Sequence, residues 1–502
     1  MSNLFKFKKN ELYVFYIGIL GGLIARGITL FTLGYAIDDY SHMSPMTLSY
    51  GLSQGRWGLN ILNQILLSLG IQSIYATTTL GFLSILIMAY IGILICRIWN
   101  ISNNKYLSAY VLLLFITFPY QAEIFTFKIA IAAFGISMLI AFIGLYISNK
   151  GLIKILISSL LICISLSIYQ IVLSYILPVL LFSILIKFLD KQDINLKDRI
   201  KNILNEKLII YRFLTLIIGI ILYFTLNSLI LKISNTPIVE RGQFINILEK
   251  SEIYTRFWDL KNIFIKIYFS NETIFPITLK IILVCFLTIT IISITKYLFS
   301  YKKIYESLLN ITFFYLFVLL LSLCYIFPIL VLKNCWPVPR VLAPASLFWS
   351  GIFVIFYMKG NTKYTKNIFL IVGSIIIFSY LSINNNIYID QLRINKQDEN
   401  KAIRIIQNLE NHTNFNRIEY LSIIGGSWTY PKRISTVQGD MNISAYGASW
   451  AKLPMINEVS GYDFQKPSLE QNSYASKYCD TSPKWPSIQS IIIVNNLGII
   501  CL

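Results

Sequence analysis

The stretch YATTTLGFLSILIMAYIGILIC, residues 75–96, decides the fold class, because it is a long apolar run without a charged side chain. An α-helix rises about 1.5 Å per residue, so roughly 20 such residues cross the hydrocarbon core of a bilayer, which is about 30 Å thick. The stretch therefore predicts a transmembrane helix. Five other runs are equally free of charge and predict the same: 129–148, 213–231, 307–332, 341–358 and 367–389.

The composition of the whole chain agrees with this prediction. Of its 502 residues, 56% are hydrophobic and only 13% are charged, whereas soluble domains carry about 25% charged residues. The formal net charge of +19 does not indicate a nucleic-acid partner, because the basic residues form no stripe interleaved with stacking aromatics. They flank the apolar runs instead, so the charge mainly encodes the orientation of the chain in the membrane.

That orientation follows from the excess of Lys and Arg that marks short cytoplasmic loops. Lys6, Lys8 and Lys9 place the N-terminus in the cytoplasm, and seven further cations crowd into residues 187–212. The first apolar run then delivers residues 37–74 to the outer face as a long external loop.

The run 155–185 is too long for one crossing, since a single helix would measure roughly 47 Å. We expect two spans that meet outside at Tyr169 and Gln170. Alternation along the chain then gives about eleven transmembrane helices with an external C-terminus: 12–36, 75–96, 106–118, 129–148, two within 155–185, 209–233, 277–299, 307–332, 341–358 and 367–389.

Beyond the last span the composition becomes more polar, which divides the chain into a transmembrane domain, 1–389, and an external domain, 390–502. EYLSII and SIIIVNNLGIICL predict buried strands in the second part. Its apolar residues Ala402, Ile403, Ile406 and Leu409 fit the period of an amphipathic helix. The sequence therefore predicts a polytopic α-helical membrane protein with a small C-terminal α/β domain.

Two of the seven cysteines, Cys479 and Cys501, lie in the predicted external domain. An oxidising compartment permits them to pair, and we expect a structural disulfide. The other five lie in or beside spans, where a thiol usually acts as a small hydrophobe. No Cys or His spacing resembles a zinc site, and with two His in the chain a His-based general base or metal cage is not expected.

Asp38 and Asp39 are adjacent carboxylates at the outer end of the first span. They are followed by Arg56 and Trp57 and by GRWGLNILNQILLSLGI, which reads as an amphipathic helix lying in the membrane interface. Carboxylates held against a bilayer surface are partly desolvated, which raises their basicity. This setting suits a general base acting on a sugar hydroxyl beside a lipid-linked donor. The alternative is that acidic residues simply end the helix on its outer side.

Cationic and polar groups at the outer span ends are the other candidates for a substrate site. Arg56, Lys128, Lys333 and Arg340 could bind phosphate oxygens, or they could be interfacial side chains that snorkel towards water. Glu123, Tyr169 and Gln170 could contact a sugar, or they could be ordinary polar helix ends. External aromatic residues could stack on a glycan: Trp258, Trp336, Trp428, Tyr430, Trp450 and Trp485. An aromatic belt at the membrane interface explains the first two equally well.

Five short motifs, taken in this order, resemble the type II glucosyltransferase family of bacterial O-antigen modification, whose members are serotype-converting enzymes often carried by phage. They are IDDY (37–40), QGRWG (54–58), FPYQAEIFTFK (118–128), YQ (169–170) and PRVLAP (339–344). The resemblance covers most of the chain and places it in the glycosyltransferase C superfamily.

The resemblance implies transfer of glucose from undecaprenyl phosphate-glucose to an O-antigen sugar of lipopolysaccharide, on the periplasmic face of the bacterial inner membrane, with inversion. The catalytic base of that superfamily maps onto Asp38 or Asp39. We favour Asp38, with Asp39 positioning the acceptor or a cation. Arg340 and Arg56 would hold the donor phosphate, and the C-terminal domain would recognise the acceptor. Lipid monophosphate donors often need no metal, so the resemblance implies no cofactor.

Two other classes share this compartment. A flippase or transporter of lipid-linked sugars would carry ionisable residues deep within several spans, whereas here they gather at the outer span ends. An O-antigen polymerase or ligase would depend on external arginines more than on a carboxylate pair behind the first span.

Overall fold

The structure is a computed structural model, and it describes residues 4–41, 48–190, 195–239, 243–245, 249–299, 304–360, 363–426 and 433–502. The fold is mostly helical, with 73% of the described residues in helices. In chain order, the α-helices are α1 Lys9–Phe31, α2 Ile37–Ser41, α3 Leu48–Ser53, α4 Trp57–Ser68, α5 Thr77–Ile98, α6 Lys105–Ile116, α7 Ala122–Thr126, α8 Lys128–Ile147, α9 Leu152–Ile168, α10 Val172–Phe188, α11 Leu196–Asn205, α12 Lys207–Ile233, α13 Lys250–Tyr268, α14 Ile277–Phe299, α15 Ile304–Cys324, α16 Phe327–Leu330, α17 Pro339–Leu342, α18 Ala345–Lys359, α19 Lys363–Glu410, α20 Lys452–Ser460 and α21 Leu469–Thr481.

The chain divides into two compact units. The first holds Met1–Leu30, Thr47–Phe125 and Ala130–Asn385, and the second holds Phe31–Met46, Thr126–Ile129 and Asn386–Leu502. The second unit therefore contains more than the C-terminal part of the chain, because two short segments from the first third of the chain belong to it.

The first unit contains the membrane-spanning helices. Each of the eleven predicted segments contains a helix. Within the described residues, eight helices are long and apolar enough to cross a bilayer, and nine if a bent pair counts as one span. The prediction of a mostly helical chain with several candidate membrane spans is thereby confirmed, while the number eleven stays a prediction, because the helices that replace 155–185 have only 17 residues each.

The structure shows where the helices end in two segments, 155–185 and 106–118, whose span limits the sequence did not define sharply. The chain breaks between α9 and α10 at Tyr169 and Gln170, as expected from the sequence. The third predicted span ends earlier than expected, since α6 and the short helices that follow it are bent by 46°. Pro119 causes this break, because a proline disfavours helical backbone in the residue before it.

The second unit is built on a three-stranded sheet with strand order β1, β3, β2. The strands are β1 Tyr420–Ile424, β2 Ile491–Val494 and β3 Leu497–Cys501. β1 lies parallel to β3, whereas β2 lies antiparallel to it. The turn between β2 and β3 places Asn495 at φ 55°, a left-handed conformation that Asn tolerates. Both predicted strand regions are confirmed.

The last 25 residues of α19 cover the core of the second unit. Ala402, Ile405, Ile406 and Leu409 are buried there, whereas Ile403 is 44% exposed. The prediction that Ile403 faces the core was wrong, because positions 402, 405/406 and 409 share one face of a 3.6-residue helix and position 403 does not. α19 has no break at residue 389, and the two units divide between Asn385 and Asn386.

Cys479 of α21 and Cys501 of β3 form a disulfide, with their Cα atoms 5.3 Å apart. Both are fully buried in a small apolar cluster with Ala475, Leu497 and Ile499. The bond therefore fastens α21 to the central strand of the sheet.

Replacing both Cys479 and Cys501 with Ser should destabilise the second unit by about 3 kcal/mol, because the bond closes a loop of this length in the unfolded chain. The measurement is the temperature at which residues 386–502 become sensitive to protease in purified protein. Cys285→Ser is the matched control, since Cys285 is an exposed thiol. Equal melting of the double variant and the control would contradict the prediction.

Candidate functional site

The short helix α2 carries the two adjacent carboxylates of the IDDY motif. Its apolar residues Ile37 and Tyr40 are three positions apart on one face of the helix, and they are 3% and 2% exposed in the core of the second unit. This anchoring fixes the backbone of α2. The two aspartates between the anchors consequently have defined and different surroundings.

Asp39 is completely buried. Its Oδ2 accepts a hydrogen bond from the N–H of Ala36 at 2.8 Å, and its Oδ1 accepts one from the N–H of Ile129 at 3.1 Å. Burial raises the pKa of the Asp39 carboxyl to about 6, while backbone N–H groups, including that of Lys128, and the Lys128 ammonium oppose the rise. Asp39 thus joins α2 to the first turn of α8, where free N–H groups favour an anion.

Asp38 is half-buried and has a different partner. The indole Nε1 of Trp450 donates to its Oδ1 at 3.1 Å, and Trp450 itself is 49% exposed. The hydroxyl of Ser41 donates to the main-chain oxygen of Asp38 at 2.8 Å. Of the two carboxylates, Asp38 is therefore the one that a substrate can approach.

Polar residues of α19 hold the segments on either side of this pair. Asn395 exchanges two hydrogen bonds with the main chain of Tyr35, at 2.8 and 3.0 Å. Gln391 donates to the main-chain oxygen of Thr126 at 3.0 Å. Both side chains are buried. Sequence reasoning missed this polar stripe, although Gln391, Asn395 and Asp398 recur with helical spacing.

Arg56 lies in the first unit, in the loop before α4. Its Nε donates to Oε1 of Gln170 at 3.1 Å, and its guanidinium lies 5.2 Å from the centre of the Tyr169 ring. Within the described residues, neither terminal amine of Arg56 has a hydrogen-bond partner. The structure therefore brings three predicted site residues together and leaves the outer edge of the guanidinium available.

The loop that carries Arg56 is fixed by Gln170 and Tyr223. Gln170 donates to the main-chain oxygen of Gln54 at 3.0 Å and to the hydroxyl of Tyr223 at 3.1 Å. That hydroxyl in turn donates to the main-chain oxygen of Gly55. Gly55 has φ +73°, and a Cβ there would lie 2.8 Å from the Tyr223 hydroxyl, so the motif requires glycine at this position.

Trp57 begins α4, so a helix lies where GRWGLNILNQILLSLGI predicts one, while its location in the membrane interface stays a prediction. The indole Nε1 of Trp57 is buried without a hydrogen-bond partner among the residues that the structure describes. α4 packs closely on α9 at Gly58, where a Cβ would lie 2.1 Å from the Ser167 hydroxyl oxygen. Both glycines of QGRWG are thus explained by close packing around Arg56 and Trp57.

Glu123 and Arg340 form an ion pair in the first unit. Glu123 is fully buried, and its two oxygens receive the main-chain N–H and the guanidinium Nη1 of Arg340. The sequence assigned Glu123 to a sugar and Arg340 to a phosphate, but each side chain binds the other. This arrangement compensates the charge of Arg340, because a buried carboxylate needs a paired cation.

The remaining predicted residues are more scattered. Lys128 is buried beside Asp39, whereas the Lys333 side chain is exposed. The main chain of Lys333 bonds to Gln243 and to the Arg256 side chain. Two predicted glycan-stacking residues, Trp428 and Tyr430, lie outside the described residues. No group of three or more His, Cys, Asp or Glu in the described part of the chain is placed to hold a metal ion.

Sequence reasoning missed a further buried carboxylate, Glu272, which contacts Tyr120 and Lys280 in the first unit. It also left Arg26 without a named partner, and the structure supplies Gln121 at 3.0 Å and the Phe125 ring at 4.3 Å. The sequence offered one signal for these contacts: a polar residue next to an aromatic residue in a turn, as Glu272 in NETIFP and Gln121 in PYQAE.

Comparison with known proteins gives one match. The family described as glucosyl transferase GtrII matches residues 27–356, about two thirds of the chain. The matched region includes Asp38, Asp39, Arg56, Glu123 and Arg340. No curated protein and no solved structure matches the chain.

The buried Asp39 should make stability depend on pH with a distinctive sign. Its folded pKa of about 6 exceeds the ordinary value of about 3.9, so the folded state holds a proton that the unfolded state releases. Stability should therefore fall as pH rises from about 4 to about 6, by an amount on the order of 3 kcal/mol for this group. Asp39→Asn should remove the part of this dependence that Asp39 causes, whereas Asp398, whose pKa burial also raises to about 6, should keep its own part.

The measurement is the thermal unfolding midpoint of purified protein from acid to neutral pH, for the wild type and for Asp39→Asn. Asp38→Asn is the matched control and should keep the wild-type slope, because its carboxylate is half-buried. Parallel curves for the wild type and Asp39→Asn would show that Asp39 titrates normally.

Proposed function

The chain belongs to the glucosyl transferase GtrII family, and from that premise we propose that it transfers glucose from undecaprenyl phosphate-glucose to a sugar of the O-antigen of lipopolysaccharide. The reaction takes place on the periplasmic face of the bacterial inner membrane, and its biological outcome is serotype conversion. The family is one of glycosyltransferases, and the eight candidate spans agree with a lipid-linked donor.

The proposed topology places the N-terminus in the cytoplasm and the second unit in the periplasm. The distribution of Lys and Arg supports the first statement. The disulfide between Cys479 and Cys501 supports the second, because such bonds persist in oxidising compartments. The second unit would then meet the acceptor glycan on the side where O-antigen is carried.

The observation that carries the mechanism is the different burial of the two aspartates. Asp38 is accessible and is oriented by the Trp450 indole, whereas both oxygens of Asp39 accept main-chain hydrogen bonds. Asp38 is therefore the general base. It takes the proton of the acceptor hydroxyl while that oxygen bonds to the anomeric carbon of glucose. The bond from this carbon to the phosphate oxygen breaks, undecaprenyl phosphate leaves, and the configuration inverts.

Asp39 is a positioning residue in this mechanism. Its hydrogen bonds to Ala36 and Ile129 hold α2, and α2 presents Asp38. Trp450, half-exposed beside Asp38, offers a ring face on which an acceptor sugar could stack. The mechanism uses no metal ion, since its charge stabilisation is assigned to a side-chain cation.

Arg56 is the cation that we assign to the donor phosphate. Gln170 and Tyr169 hold its guanidinium, and its two terminal amines form a fork that suits two phosphate oxygens. Arg340 is the weaker choice, because Glu123 already compensates its charge. The leaving phosphate gains negative charge in the transition state, so a fixed guanidinium accelerates its departure.

Asp38→Asn should lower glucosyl transfer by at least about a hundredfold, since general base catalysis contributes on that order. The assay supplies membrane vesicles with radiolabelled undecaprenyl phosphate-glucose and lipid-linked O-antigen, and it measures label in the glycan. Asp198→Asn is the matched control, because Asp198 is an exposed carboxylate on α11. Near wild-type transfer by Asp38→Asn at equal protein level would refute the base assignment.

Arg56→Lys should raise the KM for the donor by about tenfold, because a lysine keeps the charge and loses the fork. The KM for the acceptor should change little. Arg417→Lys, an exposed arginine of the second unit, serves as the control. If the acceptor KM rises and the donor KM does not, Arg56 binds the glycan and the phosphate assignment is wrong.

A further inference from the structure

The helices α1, α6 and α19 of the first unit border a groove with a volume of about 300 Å³. α6 lines it with positions 106, 109, 110 and 113, α19 with 374, 377, 378 and 381, and α1 with 13 and 17. Residues three, four and seven positions apart share one face of a helix, so each helix presents one stripe to the same space. Seven residues of helix rise about 10 Å, which gives the length of the groove.

Contacts of α6 with both neighbouring helices frame this space. The hydroxyls of Tyr110 and Ser374 share a hydrogen bond of 2.7 Å, which joins α6 to α19. A Cβ on Gly21 of α1 would lie 2.3 Å from the Leu113 side chain, so α1 and α6 touch there. Ala109 also lies on the lining face of α6, and its methyl group leaves the space unfilled. The groove therefore follows from the packing of three helices.

The walls of the groove are mostly apolar, with Ile17, Leu113, Ile377 and Leu381 among the lining residues. Phe378, on the same wall, is 72% exposed, and it lies in a charge-free run that predicts a transmembrane span. An exposed phenylalanine in a span faces lipid, so the groove opens to the bilayer. Lipid tails are as apolar as leucine side chains. The walls therefore accept an acyl chain, but they do not distinguish one lipid from another.

One end of the groove carries positive charge. The ammonium of Lys105 lies 5.7 Å from the ring centre of Tyr13 and 4.9 Å from that of Tyr106, and both rings line the groove. The ammonium of Lys8 donates to Oδ1 of Asn103 at 3.4 Å, two residues before Lys105. Within the described residues, neither ammonium forms an ion pair. This end therefore offers uncompensated charge beside two aromatic rings.

The charged end belongs to the side of the membrane that the sequence assigns to the cytoplasm. Lys105 closes the basic turn RIWNISNNK (97–105), and Lys8 belongs to the basic N-terminal segment. Glu11, the carboxylate nearest to Lys8 in the chain, is already paired with Arg97. Basic pockets between transmembrane helices on the cytoplasmic side bind the head groups of anionic lipids. An anionic phospholipid thus matches both the charged end and the apolar walls.

Two other occupants fit less well. A 10 Å length of helix about 10 Å in diameter occupies roughly 800 Å³, more than twice the volume of the groove, so a helix from a second copy is too wide. An acyl chain is only about 4 Å across, the distance at which non-bonded carbons touch. The undecaprenyl donor would carry its phosphate on the periplasmic side in the proposed reaction, whereas Lys105 lies at the opposite end of α6.

We propose that this groove binds one anionic phospholipid of the cytoplasmic leaflet, with an acyl chain between α1, α6 and α19 and its phosphate at Lys105 and Lys8. The inference rests on the cytoplasmic position of the N-terminus and is independent of the proposed glucosyl transfer. The walls hold the chain and the two lysines select the charge of the head group. The lipid fills a space that three helices of the first unit leave between them.

The first test is the mass spectrum of the intact full-length protein, extracted from vesicles with equal amounts of phosphatidylglycerol and phosphatidylethanolamine. The wild type should retain phosphatidylglycerol, and Lys105→Gln should lower this preference about fivefold, the effect of one lysine beside an anionic lipid. Lys150→Gln is the matched control, because Lys150 is exposed in another predicted cytoplasmic turn. Equal preference in the wild type and Lys105→Gln would overturn the inference.

Ile17→Trp tests the groove itself, because the larger side chain occupies the space that the acyl chain needs. This variant should lose the retained phosphatidylglycerol. Leu20→Trp should keep it, since Leu20 is 59% exposed on the same helix and does not line the groove. Equal retention by the two variants would place the lipid elsewhere and contradict the proposal.

The same spectra test the other occupants. A wild-type dimer that Ile17→Trp separates and Leu20→Trp does not would assign the groove to a second copy of the chain. When undecaprenyl phosphate and phosphatidylglycerol are supplied together, retention of undecaprenyl phosphate alone would assign it to the isoprenoid chain. Either result would overturn the inference and leave the proposed glucosyl transfer to its own assay.

Discussion

The carboxylate of Asp39 is the interaction on which the candidate site depends. It accepts main-chain hydrogen bonds from Ala36 and Ile129, so it joins two segments that are ninety residues apart in the sequence. The energetic cost of burying this charge raises its pKa, and the N–H groups at the start of α8 offset part of that cost. With α2 held in this way and anchored by Ile37 and Tyr40, Asp38 has a fixed place beside Trp450.

Three buried carboxylates of the first unit pair with cations, and this pairing separates structural from functional candidates. Glu11 pairs with Arg97, Glu123 with Arg340 and Glu272 with Lys280. In a buried ion pair, the attraction between the two charges offsets the cost of removing them from water. The carboxylate also cancels most of the positive potential that the cation would otherwise offer to a ligand. Arg56 differs, since its partners are the neutral side chains of Gln170 and Tyr169. Charge compensation, rather than position at a span end, therefore favours Arg56 for the phosphate.

Local patterns predicted the elements of the fold well. Long apolar runs predicted the helices, the excessive length of 155–185 predicted the break at Tyr169 and Gln170, and short apolar runs predicted both strand regions. All three signals depend only on residues that are neighbours in the sequence. Two details failed. α1 ends at Phe31 and not near Ala36, because Ile37 and Tyr40 pack in the core of the second unit, and no local pattern contains that information. Ile405 is buried in place of Ile403, because positions 402, 405, 406 and 409 share the helix face that meets the core.

The sequence by itself determined that this is a polytopic helical membrane protein of a glucosyltransferase family, with two adjacent aspartates after its first span. Those properties follow from composition, hydrophobic periodicity and short motifs, all of which can be read from the linear sequence. Only the tertiary structure decided which aspartate is accessible, which arginine is already paired, and that Glu272 pairs with Lys280. Burial and hydrogen bonding join groups distant in the chain, so these distinctions arise only when the chain has folded.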